Sequence, residues 1–96
     1  MEALIGEYEV TYEAEPPLLV VHHLTKGRDV LRMSGADVAA FCELLAEQSK
    51  RIRPIASYQI IFGGSDDLSF YLATGGRACY MHADQVAQLR QLLGVS

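Results

Sequence analysis

Ninety-six residues, half of them apolar, with a mean hydropathy of +0.12, describe one small soluble domain carrying more apolar surface than so short a chain hides comfortably. Eight Lys and Arg against twelve Asp and Glu leave a net charge of −4, which argues against nucleic acid and against an anionic membrane surface. Two cysteines are too few for a disulfide scaffold, no apolar run approaches the roughly 18 residues of a membrane span, and Met1 is followed by Glu2 instead of a basic leader, so a cytoplasmic chain with reduced thiols is expected.

The first periodic segment alternates Tyr8, Val10, Tyr12 and Ala14 with Glu7, Glu9, Thr11 and Glu13, the period of a strand with one dry and one wet face. Glu15, Pro16 and Pro17 turn the chain. A second strand follows, read with Val20, His22 and Leu24 inward and Val21, His23 and Thr25 outward. Lys26, Gly27 and Arg28 make a tight turn. The third strand sends Leu31 and Met33 inward and Val30 and Arg32 outward. Ser34, with Asp37 three residues later, reads as a helix N-cap. The apolar stripe of that helix is Val38, Phe41, Cys42 and Leu45, and Lys50 and Arg51 suit its C-terminal dipole. Residues 52–54 stop the helix and begin a linker.

A shift of 48 residues lays this pattern over the second half. Leu24/Leu72, Gly27/Gly75, Met33/Met81, Val38/Val86, Ala39/Ala87, Leu44/Leu92 and Leu45/Leu93 are identical pairs. The inward positions become Ala56, Tyr58, Ile60 and Phe62, then Leu68, Phe70 and Leu72, then Cys79 and Met81. Residues 63–67 (GGSDD) replace the proline turn, and Thr74, Gly75 and Gly76 replace the tight one. The second helix uses Val86, Leu89 and Leu93, ends at Gly94, and has His82 in the place of Ser34. The expected architecture is α+β: a single domain, 1–96, of two tandem β-β-β-α repeats (1–50 and 51–96), forming a six-stranded antiparallel sheet with two helices on one face.

No catalytic, metal or cofactor constellation is read. His22 and His23 are neighbours on a strand, so they point to opposite faces and cannot share an ion. Cys42 and Cys79 fall on inward positions, which makes them inert. Asp66 and Asp67 sit in a turn, and no glycine pair precedes a phosphate-loop lysine. Lys50, Arg51 and Arg53 read as a solvated helix end, with a phosphate contact as the alternative. A non-enzymatic chain is expected.

The outward positions are the informative ones. In the first half they are Glu7, Glu9, Glu13, Val21, His23, Thr25, Val30 and Arg32, charged and net acidic. In the second they are Ser57, Gln59, Ile61, Ser69, Tyr71, Ala73, Ala78 and Tyr80, neutral and partly aromatic, like an interface core. The expected binding residues are therefore Ile61, Tyr71 and Tyr80 together with His23, Arg32, Glu7, Glu9 and Glu13. They suit a small protein-binding or regulatory module that forms a homodimer through the open face of its sheet, its acidic ridge meeting a partner with a basic surface.

Strands followed by a helix, repeated, with Tyr71, Tyr80, His23 and Arg32 on an open sheet face, resemble the PUR and PC4-type folds. That resemblance implies single-stranded nucleic-acid binding as the alternative function, with these residues contacting bases and backbone. The chain departs from the family in having three strands per unit instead of four, and in placing glutamates on the same face.

Overall fold

The computed structural model describes residues 1–47, 51–63 and 65–95. Its elements run β1 (Glu2–Ile5), β2 (Tyr8–Ala14), β3 (Pro17–His23), β4 (Arg28–Ser34), α1 (Ala36–Glu47), β5 (Arg51–Ile55), β6 (Tyr58–Phe62), β7 (Leu68–Leu72), β8 (Arg77–Met81) and α2 (Ala83–Leu93). The strands form two four-stranded antiparallel meanders, in the orders β1-β2-β3-β4 and β5-β6-β7-β8. The expected single six-stranded sheet is thus two sheets of four, and each half has four strands before its helix. The two missed strands are short edge strands. β1 alternates only Ala3 and Ile5 with Glu2 and Leu4, and β5, read as a linker, contains Pro54, which an edge strand tolerates.

The inward rows of the first sheet are Ile5, Tyr8, Val10, Leu19, Val21, Leu31 and Met33, and those of the second are Ile55, Ile60, Phe62, Leu68, Phe70, Cys79 and Met81. β3 therefore faces the opposite way from the sequence expectation, with Leu19, Val21 and His23 buried and Val20 and His22 outward. The reason is one residue of loop length. By register, Tyr8, Val10 and Tyr12 match Tyr58, Ile60 and Phe62 at an offset of 50, Leu19 and Val21 match Leu68 and Phe70 at 49, and Leu31 and Met33 match Cys79 and Met81 at 48. The connections from Tyr12 to Leu19 and from Val21 to Leu31 are each one residue longer than their counterparts. A uniform shift of 48 is thus odd by one on β3, and a slip of one turns a strand over.

The helices tie the halves together. α1 packs against β3, β4 and β5, whereas α2 packs against β8 and β1, so each reaches from its own sheet to the first strand of the other. Val38, Phe41, Leu44 and Leu45 from α1 and Val86, Leu89 and Leu93 from α2 join both sheets in one buried cluster. Phe41, fully buried against Phe70 with ring centres 5.6 Å apart, contributes about 1.5–3 kcal/mol of burial. Arg90 of α2 donates from Nη2 to the Leu45 carbonyl at 3.0 Å. Ser34 is the last residue of β4, and Gly35, at φ 59°, carries the chain into α1. His82 does cap α2: its N–H donates to Gln85 Oε1 at 2.9 Å, and Gly94 at φ 72° closes the other end. α1 is described as far as Glu47 and Lys50 lies outside the described residues; Arg51, expected at the helix end, opens β5 instead, and Arg53 in β5 pairs with Glu47 at 3.8 Å. No described helix is long and apolar enough to cross a membrane.

The turn between β1 and β2 places Gly6 at φ 59°, and the matching turn between β5 and β6 places Ala56 at φ 55°. A left-handed conformation costs an L residue roughly 1–2 kcal/mol, part of which glycine returns through its freer unfolded chain. Ala56→Gly is therefore expected to raise stability by about 0.5–1 kcal/mol in a urea titration. Gly6→Ala goes the other way and costs more, because its Cβ would run into the Gln85 side-chain amide as well. Equal and small effects at both turns would refute this account.

Candidate binding surface and cleft

Two tyrosines set the geometry between the sheets. Tyr8, the first residue of β2, reaches β8, where its hydroxyl donates to the Tyr80 carbonyl and accepts from the Tyr80 N–H, both at 3.2 Å. Tyr58, the first residue of β6, reaches β4, where its hydroxyl accepts the Arg32 N–H at 3.1 Å. β4 and β8 are the last strands of their sheets and lie next to each other. Their outward backbone groups would be unpaired edges, and the tyrosine hydroxyls satisfy three of them, the Arg32 N–H and the N–H and C=O of Tyr80.

The outer face of the second sheet carries two cross-strand rows. One is Ile52, Ile61, Ser69 and Tyr80; the other is Pro54, Gln59, Tyr71 and Arg77. Ile61, Tyr71 and Tyr80 are half-exposed and share this face, Ile61 and Tyr80 in the first row and Tyr71 in the second. Arg77, which the sequence reading overlooked, joins the two tyrosines. Its Nη2 donates to the Tyr71 hydroxyl at 3.2 Å, and its guanidinium carbon lies 5.6 Å from the Tyr71 ring centre and 5.0 Å from that of Tyr80. The Tyr80 hydroxyl donates to Asp67 Oδ2 at 3.0 Å, and this bond to a carboxylate holds the phenol above its ordinary pKa.

The other expected residues are on the first sheet and scatter. Glu9 sits beside His22 and Leu4 on the outer face, Glu13 lies 3.9 Å from the Met1 ammonium, and Arg32 is exposed on β4. Glu7 is in the turn before β2. Because β3 is turned over, Leu18 and Val20 also face outward there, so this face is acidic but not purely polar. His23 is a correction: it is 7% exposed and belongs to the interior. Its Nδ1 accepts the Lys26 N–H at 3.1 Å, which assigns the proton to Nε2, and Nε2 lies 3.0 Å from Glu7 Oε2. The Tyr8 ring meets it edge-on at 5.3 Å. Glu7 and His23 thus anchor a hairpin.

A cleft of about 280 Å³ opens where the β3–β4 and β7–β8 hairpins meet. Both hairpins carry a bulge at the same register position: Val30 is the extra residue between the pairs of Leu31 and Asp29, and Ala78 the extra residue between those of Cys79 and Arg77. Val30, Ala78 and Tyr58, all half-buried, form the inner wall, with the exposed Leu72 beside them. Lys26, Arg28 and Arg77 supply the charge at its mouth, and Asp29 also lines it, its Oδ1 lying 2.8 Å from His22 Nδ1. The clue available in the sequence was Lys26, Gly27 and Arg28, which reads as a turn and nothing more.

Burial pushes the Cys79 thiol up to about 11 and raises that of Cys42. Among the described residues no group of three or more His, Cys, Asp or Glu is placed to hold a metal. Comparison with protein-family models, curated proteins and solved structures returns no match.

Burial also pushes the Tyr8 phenol up to about 12 from its ordinary 10.0. The folded state keeps this proton where the unfolded chain gives it up, so its stabilising effect is complete below pH 10 and is lost as pH rises through 12. Tyr8→Phe should cost roughly 1–3 kcal/mol at neutral pH by leaving the Tyr80 N–H and C=O unpaired. It should also flatten the alkaline fall in stability over that interval, measured by urea titrations at stepped pH. An unchanged alkaline limb would refute the assignment.

Proposed function

We propose that this chain is a small non-enzymatic binding module that pairs with a second copy of itself through the outer face of its second sheet. The observation that carries the reading is the row Ile52, Ile61 and Tyr80 flanked by Tyr71, with Ile52 65% exposed and Arg77 the only cation in either row. Aromatic and aliphatic side chains with few charges are what the centre of a protein interface contains. Facing copies about a twofold axis would bury this patch against itself, and roughly 1,000 Å² is within its reach. On the first sheet Glu2, Glu9 and Glu13 suit a partner with a basic surface, which fits a regulatory role. The repeated element order, the matching bulges and the tyrosines opening β2 and β6 support a tandem duplication, with halves 1–50 and 51–96.

A second reading, single-stranded nucleic-acid binding, is favoured by one observation. Four strands and a helix in each half bring the element order closer to PUR and PC4-type folds than three did. The net charge of −4 weighs against it, since phosphate neutralisation dominates such affinity.

Light scattering at about 100 µM, where dimers of micromolar affinity form, should give the mass of a dimer. Tyr71→Glu should give a folded monomer, because a charge at the centre of the interface must be desolvated without a partner. Thr11→Glu, on the outer face of the first sheet, should leave the mass unchanged. A monomeric wild-type protein that retards labelled single-stranded DNA at about 150 mM salt, and loses this on Tyr71→Ala, would put the second reading first.

A further inference from the structure

The geometry points to the cleft between the β3–β4 and β7–β8 hairpins as a binding site for a small organic phosphate carrying a flat ring. This goes beyond the pairing of sheet faces and does not depend on it. The cleft gathers Lys26, Arg28 and Arg77, three of the chain's eight Lys and Arg, in a protein whose net charge is −4. Among the described residues neither Lys26 nor Arg28 has a side-chain hydrogen bond or ion pair. Asp29, the only carboxylate lining the cleft, is engaged by His22 at 2.8 Å. Two free cations on a turn, with a third held on tyrosine, are an arrangement that a dianion completes, and guanidinium forks match phosphate oxygens two at a time.

The rest of the wall is chosen for something else. Val30, Ala78, Leu72 and the Tyr58 ring offer apolar and aromatic surface that a phosphate alone does not use. A planar ring attached to it does, by stacking and burial. The volume of about 280 Å³ falls just below the usual small-molecule range of roughly 300–1,000 Å³, which favours a compact ligand over a large cofactor.

The two halves differ at the positions that line the cleft. By register, the counterpart of Tyr58 is Tyr8, which is 8% exposed, and that of Leu72 is His23, which is 7% exposed and held by Glu7. The β7–β8 hairpin is one residue shorter than the β3–β4 hairpin and has glycines at 75 and 76 in place of a basic turn. The cleft is therefore lined where the two halves differ, and those differences bring charge and apolar wall together.

Isothermal titration with adenosine monophosphate, inorganic phosphate and adenosine tests the assignment on the whole chain. Adenosine monophosphate should bind saturably below about 1 mM. Affinity should fall about tenfold in Arg28→Ala and in Lys26→Ala, and should weaken as salt rises from about 50 to about 300 mM. Both substitutions are on an exposed turn, and unchanged circular dichroism will show that the fold survives. Leu72→Trp should block the ring without removing charge. Equal binding of inorganic phosphate would overturn the ring, and equal binding of adenosine would overturn the phosphate. No saturable binding, or indifference to Arg28→Ala, would overturn the site. Much tighter binding of a single-stranded oligonucleotide, displacing the mononucleotide, would replace it with nucleic acid.

Discussion

Everything in this fold depends on how two sheets end beside each other without fusing. β4 and β8 are neighbours, and an ordinary ladder between them would make one continuous sheet. Tyr8 and Tyr58 prevent it by occupying the backbone groups such a ladder would use: Tyr8 takes both polar groups of Tyr80, and Tyr58 takes the N–H of Arg32. Each bond is worth only about 0.5–1.5 kcal/mol net, but the alternative is unpaired backbone in a partly buried seam, which costs more. The tyrosines thus fix the angle at which the sheets meet, and that angle lets one buried cluster serve both.

The helices then lock what the tyrosines position. Because α1 packs on β5 and α2 on β1, neither half buries its own core alone. Gly6 shows how close this crossing is, since the turn between β1 and β2 lies against the Gln85 side-chain amide of α2, which would have to shift to admit a methyl. Gln85 also accepts the N–H of His82, so one side chain starts a helix and sets the position of a turn from the opposite sheet. A short chain with a thin core gains from such sharing, because each apolar residue covers two elements at once.

Six of the eight strands and both helices were legible because their apolar periods are clear: Tyr8, Val10 and Tyr12 on β2, Leu68 and Phe70 on β7, Val86, Leu89 and Leu93 on α2. β1 and β5 were not, since four or five residues with a proline or outward leucine carry too little period to separate strand from linker. The facing of β3 was lost for a different reason. Val20, Val21, His22 and His23 give no alternation of their own, so parity was borrowed from the other half through a fixed shift, and loop lengths had changed by one residue between them. The error carried His23 onto the open face. It did not touch Ile61, Tyr71 and Tyr80, whose strands have unambiguous inward partners in Ile60, Phe70 and Cys79.

What the sequence hid most completely was the cleft, because no single element makes it. Lys26 and Arg28 belong to one sheet and Arg77, Ala78 and Tyr58 to the other, and only the meeting of β4 with β8 places them together. The bulges matter here. The extra residues Val30 and Ala78 interrupt each ladder, and both line the hollow between the hairpins. Matching bulges alone would give a hollow at a symmetric place with no preference for any ligand. The preference comes from what the halves do not share: Leu72 stands exposed where its counterpart His23 is buried and held by Glu7, and the longer β3–β4 hairpin brings two cations to an edge that its counterpart lines with glycine. Where two halves share an element order and a common core, the positions that differ between them are where a binding specificity can be added without disturbing that core.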